Sequence, residues 1–201
     1  MGRPRATNQT VETAQRLLSA AEQEFGSKGF DRARLADIAN IAGISRPSLL
    51  YHYNSKDALY AAVVRQAFQR LGTTLVSALT AEGDFHSRIK RTIEIFGTFL
   101  DDHRHMSLMF LRELVDGHGP GRDLLIAAGV PILNRVEDFA KAEGFSFVRG
   151  SVPIRAALMQ IISGMIVHSA AGNLRQPLWG DERDYSSVFA RELIQGGQLC
   201  N

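Results

Sequence analysis

The hexapeptide Ala42-Gly43-Ile44-Ser45-Arg46-Pro47 stops one helix and starts another, and it constrains the fold more than any other stretch of the chain. Just before it, Leu35, Ile38, Ala39 and Ala42 recur at three-then-four spacing, which places them on one helical face that needs a core. Gly43 ends that helix, because glycine enters the left-handed backbone region without a Cβ penalty. Ile44 plugs the turn. Ser45 offers a side-chain oxygen to the free N–H groups of a new helix, and Pro47 falls in its first turn, where a missing N–H costs nothing. A helix, a short turn containing glycine and a second helix make the helix-turn-helix unit, whose second helix enters the DNA major groove.

The order and spacing of Ala42-Gly43-Ile44-Ser45, Leu49, Tyr51-His52-Tyr53 and Ser55-Lys56-Asp57-Ala58-Leu59 resemble the TetR (tetracycline repressor) family of transcriptional regulators, over residues 9–60. The resemblance implies an all-α chain of about nine helices. A three-helix helix-turn-helix DNA-binding domain with a basic arm would occupy residues 1–56, and a helical effector-binding and dimerisation domain residues 57–201. Members of that family usually have Ser or Thr where Ala33 and Arg34 stand; the departure removes a hydroxyl, and Arg34 replaces it with charge. His52 falls where the family often has a phosphate-binding Tyr, and either ring nitrogen can donate to a phosphate.

Charge supports a nucleic-acid partner for the front of the chain. The net charge is only +2, but residues 1–56 hold eight Lys/Arg against five Asp/Glu, leaving fifteen against sixteen for the rest. The positive excess is therefore N-terminal, where a phosphate backbone would meet it. Residues 1–9 carry Gly2-Arg3-Pro4-Arg5 without an apolar anchor, and read either as an arm whose Arg3 and Arg5 reach a minor groove or as a solvated tail. On the second helix of the motif Leu49 faces inward, leaving Arg46, Pro47, Ser48, Leu50 and Tyr51 for a groove. Arg46 suits a bidentate contact to guanine or a phosphate; Ser48 and Tyr51 can hydrogen-bond to bases, and Pro47 can touch a thymine methyl. Lys56 lies in the first turn of the next helix, whose N–H groups also favour an anion, so Arg34, His52 and Lys56 are the expected phosphate contacts.

The helical periodicity continues on either side. Val11, Ala14, Leu17, Leu18, Ala21 and Phe25 mark a helix from Thr10, with Gly26 and Gly29 at its end, Phe30 packing back beneath it and Asp31 placed to cap the next helix. Leu59, Val63, Ala67, Leu71, Leu75 and Leu79 hold one stripe through a helix over 55–80, long enough to join a DNA-reading unit to a second domain. Further helices are predicted over 85–102, 104–116, 122–143, 152–173 and 185–195, separated by glycine-rich punctuation and with no sign of a strand pair.

Nine of the eleven Phe and four of the five Met lie after residue 56. Such side chains fill any helical core, but the resemblance implies an effector cavity among helices five to eight. Phe96, Phe99, Leu100, His103, Met106, Met109 and Phe110 are its candidate wall, with Met159, Ile162 and Met165 closing the far side. The resemblance also implies that the last two long helices pair with their symmetry mates. Ala156, Ser163 and Gly164 are small enough for close approach, and Val188, Phe189 and Leu193 are the apolar partners. A two-fold dimer sets two reading helices about one DNA turn apart, which suits a palindromic operator.

Other chemistries find little support. His103 and His105 point to opposite sides of a helix; Asp101 and His105 share a face, but two ligands at that spacing are common by chance, so no metal and no cofactor are expected. Cys200 has no internal partner for a disulfide, and His168 reads as a core or interface histidine. No Ser/His/Asp set or phosphate loop suggests an enzyme. No apolar run approaches the roughly 20 residues of a membrane span, and the N-terminus is polar, so a cytoplasmic protein without a membrane partner is expected. The expected function is sequence-specific regulation of transcription, most simply repression relieved by a small, largely apolar effector. A constitutive DNA-architectural or scaffold protein with a filled core is the alternative.

Overall fold

The computed structural model describes residues 6–116, 121–143, 147–148 and 152–180. These residues form α1 (Ala6–Arg32), α2 (Leu35–Ile41), α3 (Arg46–His52), α4 (Lys56–Thr80), α5 (Phe85–Asp102), α6 (Arg104–Asp116), α7 (Gly121–Ala142), α8 (Ile154–Ala170) and a short α9 (Arg175–Trp179). A two-residue antiparallel pair, β1 (Phe147–Val148) with β2 (Val152–Pro153), precedes α8 in the stretch read from the sequence as helix and loop. Gly172, at φ +56°, ends the run expected to continue to residue 173 and starts a 3-10 turn over Gly172–Leu174. The helix expected over 185–195 lies outside the described residues.

The start of the chain departs instructively from its sequence pattern. α1 does not stop at Gly26 but continues to Gly29, whose φ of 79° and ψ of 167° make the break. Gly26 is a packing glycine: a Cβ there would lie 2.4 Å from the Cβ of His105, so only glycine lets α6 cross α1 this closely. Asp31 does not cap α2. Arg34 holds that N-cap position and makes no side-chain cap bond.

Elsewhere the local chemistry acts as its residues suggest. Ser45 Oγ accepts from the Ser48 N–H at 3.2 Å, and Ser55 Oγ from the Ala58 N–H at 3.0 Å. Asp84 caps α5 in the same way, accepting from the Ser87 N–H at 2.8 Å. The whole Leu59 to Leu79 stripe of α4 is buried. One apolar cluster runs from Leu17, Phe25, Ile38 and Leu49 through Leu59 and Val63 to Leu100, Met106 and Met165, so the packing shows no gap at residue 56. Burying each such side chain is worth about 1.5–3 kcal/mol, which holds α2 and α3 in place although seven residues are too few for a helix to persist alone. Among the described residues no single helix is long and apolar enough to cross a membrane.

Candidate nucleic-acid interface and apolar cavity

The turn between α2 and α3 is built on Gly43 at φ 69°, where a side chain would be strained, and on Ile44, which packs against the core. This turn and the Ser45 cap fix the rotation of α3. Leu49 is fully buried, so the opposite face points away from the core: Arg46, Pro47 and Leu50 are exposed, Ser48 is half-buried and Tyr51 is 87% exposed. A large aromatic ring held out in this way lies outside the core, and it has the reach and polarity for a base edge. His52 stands edge-on to it, ring centroids 5.8 Å apart.

The expected phosphate contacts sit in different surroundings. Arg34 is exposed at the start of α2. The Lys56 Nζ donates to the Asp31 carbonyl at 3.1 Å and lies 4.5 Å from the centroid of the Phe30 ring, keeping its charge and two further donors. It clips the start of α4 to the end of α1. Nearby, Lys28 lies between Glu24 at 2.7 Å and Asp37 at 3.0 Å, and these hydrogen bonds raise its pKa and lower that of Asp37. Arg3 and Arg5 lie outside the described residues.

Behind this unit, α4 to α8 enclose a cavity of about 430 Å³. Of the expected wall, Phe96, Phe110, Met159, Ile162 and Met165 line it, and Phe99, Leu100, His103, Met106 and Met109 do not. Leu100, Met106 and Met109 are filled core, and Phe99 packs against that core. His103 instead meets Glu22 on α1, Nδ1 to Oε1 at 3.1 Å. Much of the wall went unforeseen, including Phe68, Leu71 and Leu75 on α4 and Leu125, Ile126 and Val130 on α7. The lining is apolar except for Thr92, whose hydroxyl donates to the Arg88 carbonyl of its own helix at 2.8 Å. Leu114, Ile126, Val130 and Met159 are both lining and solvent-exposed, so the mouth is greasy as well as the interior.

On α8, Ala156 and Gly164 are exposed and Ser163 half-buried, and nothing lies within 4 Å of a Cβ built at Gly164. Together with Gln160 and Val167 they make an outward stripe at helical spacing. Val188, Phe189 and Leu193 lie outside the described residues, as does Cys200. No group of three or more His, Cys, Asp or Glu side chains is placed to hold a metal among the described residues.

The joint between the two parts is formed largely by α6, which sequence reasoning treated only as cavity wall. The Arg112 guanidinium donates to the carbonyls of Phe25, Gly26 and Ser27 near the end of α1. Glu113 is 8% exposed and accepts from the Tyr60 hydroxyl at 2.7 Å and the Gly121 N–H at 3.2 Å. Burial and the Glu113 carboxylate push the Tyr60 phenol far up, so it remains a donor. At the other end of α6, the Ser107 hydroxyl donates to Ser169 at 3.0 Å, and Ser169 donates to the Leu100 carbonyl at 2.7 Å, tying α6, α8 and α5 together. A charged residue continuing the apolar stripe of Met106, Met109 and Phe110 was the available signal for Glu113.

Comparison with known proteins agrees with this geometry. Residues 17–63 match the family described as bacterial regulatory proteins, tetR family. The HTH-type transcriptional regulator RutR of Escherichia coli (strain K12) is 37% identical over 103 residues, 50% of this chain and 47% of that protein. The HTH-type transcriptional activator FasR of Mycolicibacterium smegmatis is 33% identical over 100 residues, 49% of this chain and 46% of that protein. The chain thus spans about half the length of the curated relatives it matches. Among solved structures, the fatty acid degradation regulator FadR from Bacillus halodurans superposes with a TM-score of 0.67 at 15% identity, covering 90% of this chain and 95% of that one, a likeness of fold.

Proposed function

We propose, from the match of residues 17–63 to the tetR family of bacterial regulatory proteins, that the chain is a homodimeric DNA-binding regulator of transcription. In this reading it represses from a palindromic operator and is released when a small, largely apolar molecule fills the cavity. The observation that carries the reading is the course of α4. Its first turns hold Tyr60 and Lys56 against the reading unit, and its middle supplies Phe68, Leu71 and Leu75 to the cavity wall. At 25 residues it is roughly 37 Å long, so a small tilt at the wall becomes a larger displacement at α3.

The cavity favours this reading over a constitutive architectural protein, which has no use for an open apolar space. Its walls suit an aliphatic or aromatic body; an ionised group deep inside would stand unpaired. The mechanism is a shift of population: effector binds best to the conformation in which the two α3 helices no longer match the half-site spacing. The outward stripe of Ala156, Gln160, Ser163, Gly164 and Val167 is the proposed two-fold contact.

Selection of duplexes from a random DNA pool at near-physiological salt tests the reading. The expected product is a palindrome with half-sites about one helical turn apart. Retention of unrelated sequences, lost as salt rises, would favour the architectural alternative.

A further inference from the structure

We propose that Glu113 is the positioning residue that couples the cavity to the DNA-reading unit, by holding Tyr60 of α4 and the N-terminus of α7 on a single carboxylate oxygen. The inference rests on the regulator reading and adds to it a specific joint.

Both bonds end on Oε1, from the Tyr60 hydroxyl at 2.7 Å and the Gly121 N–H at 3.2 Å. The second donor is one of the first N–H groups of α7, which have no acceptor within their own helix and favour a negative charge. Gly121 leaves room for this approach: a Cβ there would lie 2.5 Å from the Glu113 carboxyl carbon and would displace the carboxylate. Oε2 is buried and has no hydrogen-bond partner among the described residues. The carboxylate is thus fixed by these two donors, one on α4, the proposed lever, and one at the start of α7, which lines the cavity.

On the cavity side, Phe110 and Leu114 flank Glu113 along α6, and Leu125 follows Gly121 by about one turn of α7; all three line the cavity. On the reading side, Tyr60 is 2% exposed and meets Phe25 and Phe30 of α1 edge-on, centroids 5.0 and 5.2 Å away. Lys56 lies against the same Phe30 ring. A ligand that pushes the start of α7 or the end of α6 outward must either carry the Glu113 carboxylate with it or break a bond to it. If the carboxylate is carried along, Tyr60 has to follow or lose its acceptor, and a Tyr60 that follows disturbs the aromatic contact with α1.

Amide hydrogen exchange on the full chain tests this, alone and with a duplex selected from the random pool. Tyr60→Phe removes one hydroxyl on α4 and keeps the ring. Exchange over residues 121–128 of α7 should nevertheless quicken, by roughly tenfold for the loss of one buried hydrogen bond. Gly121→Ala, which displaces the carboxylate from the other side, should quicken exchange over residues 56–64. In the wild-type chain, bound duplex should alter exchange over residues 121–128, and Tyr60→Phe should abolish that response while still binding DNA. A residue of merely structural importance would not transmit it. Unchanged α7 exchange in Tyr60→Phe, together with an intact response to duplex, would overturn the proposal. Failure to select any duplex would sink the regulator reading instead, while the duplex-free arms still decide whether the bond links the two helices.

Discussion

The DNA-reading unit and the helices behind it solve opposite packing problems. In the first, α2 and α3 have seven residues each and cannot persist alone, so each depends on a full core and, for α3, on a side-chain cap. In the second, α4 to α8 run to between 13 and 25 residues, and their apolar faces surround 430 Å³ without filling it. Short helices demand complete packing and long ones tolerate a void. The difference suits the proposed regulator, in which a rigid reading unit is joined to a deformable effector-binding part.

Matched truncations test the contrast most strongly. Phe25→Ala, in the filled core beneath Tyr60, should destabilise by about 3–5 kcal/mol, and Phe96→Ala, already beside empty space, by about half of that or less. Urea unfolding at a fixed protein concentration compares them; equal costs would remove the distinction between the two regions.

Next comes Arg46→Ala on the exposed face of α3. It should leave stability within about 0.5 kcal/mol of wild type and cost about 1–3 kcal/mol of discrimination at one base position. Binding to a set of single-base operator variants measures this. A uniform loss with a salt slope flatter by about one would reassign Arg46 to a phosphate.

Ser45→Ala should cost about 1 kcal/mol by removing the cap of α3, and it bears on the reading unit alone, so the affinity of the cavity for an apolar probe should not change. Denaturation and probe titration on the same preparation separate the two effects.

The smallest effect concerns His168, which stands edge-on to Trp179 with its pKa held below 6.5 by burial and then by the Arg175 cation. The unfolded imidazole therefore binds a proton that the folded one resists. Its contribution to stability is full above pH 6.5 and declines as pH falls through that value towards the lower folded one. His168→Gln should flatten that part of the stability profile without affecting the neutral range.

What was legible in the sequence follows the range of the forces involved. The motif could be read because its signals are local: Gly43 must turn, Ser45 must cap, Leu49 must be buried. α6 could not be read as the joint, because Gly26 looks like a helix end until His105 is seen against it, and Arg112 and Glu113 find their partners far along the chain. The cavity wall was half legible for a related reason. An apolar side chain carries no mark that tells filled space from empty, so Met106 and Met109 resembled lining and proved to be core, whereas Leu125 and Val130 of α7 resembled any helical stripe and proved to be lining.

Reciprocal binding tests the coupling of the two regions most directly. The protein is titrated with a neutral, environment-sensitive fluorophore of the phenylnaphthylamine type, with and without the selected duplex, and Ala157→Phe, which fills the cavity, is the control. The expected result is that duplex weakens the fluorophore and fluorophore weakens the duplex by the same factor, and that both effects vanish in the filled variant. A fluorophore excluded by Ala157→Phe, yet without influence on the duplex in the wild-type chain, would contradict the coupling.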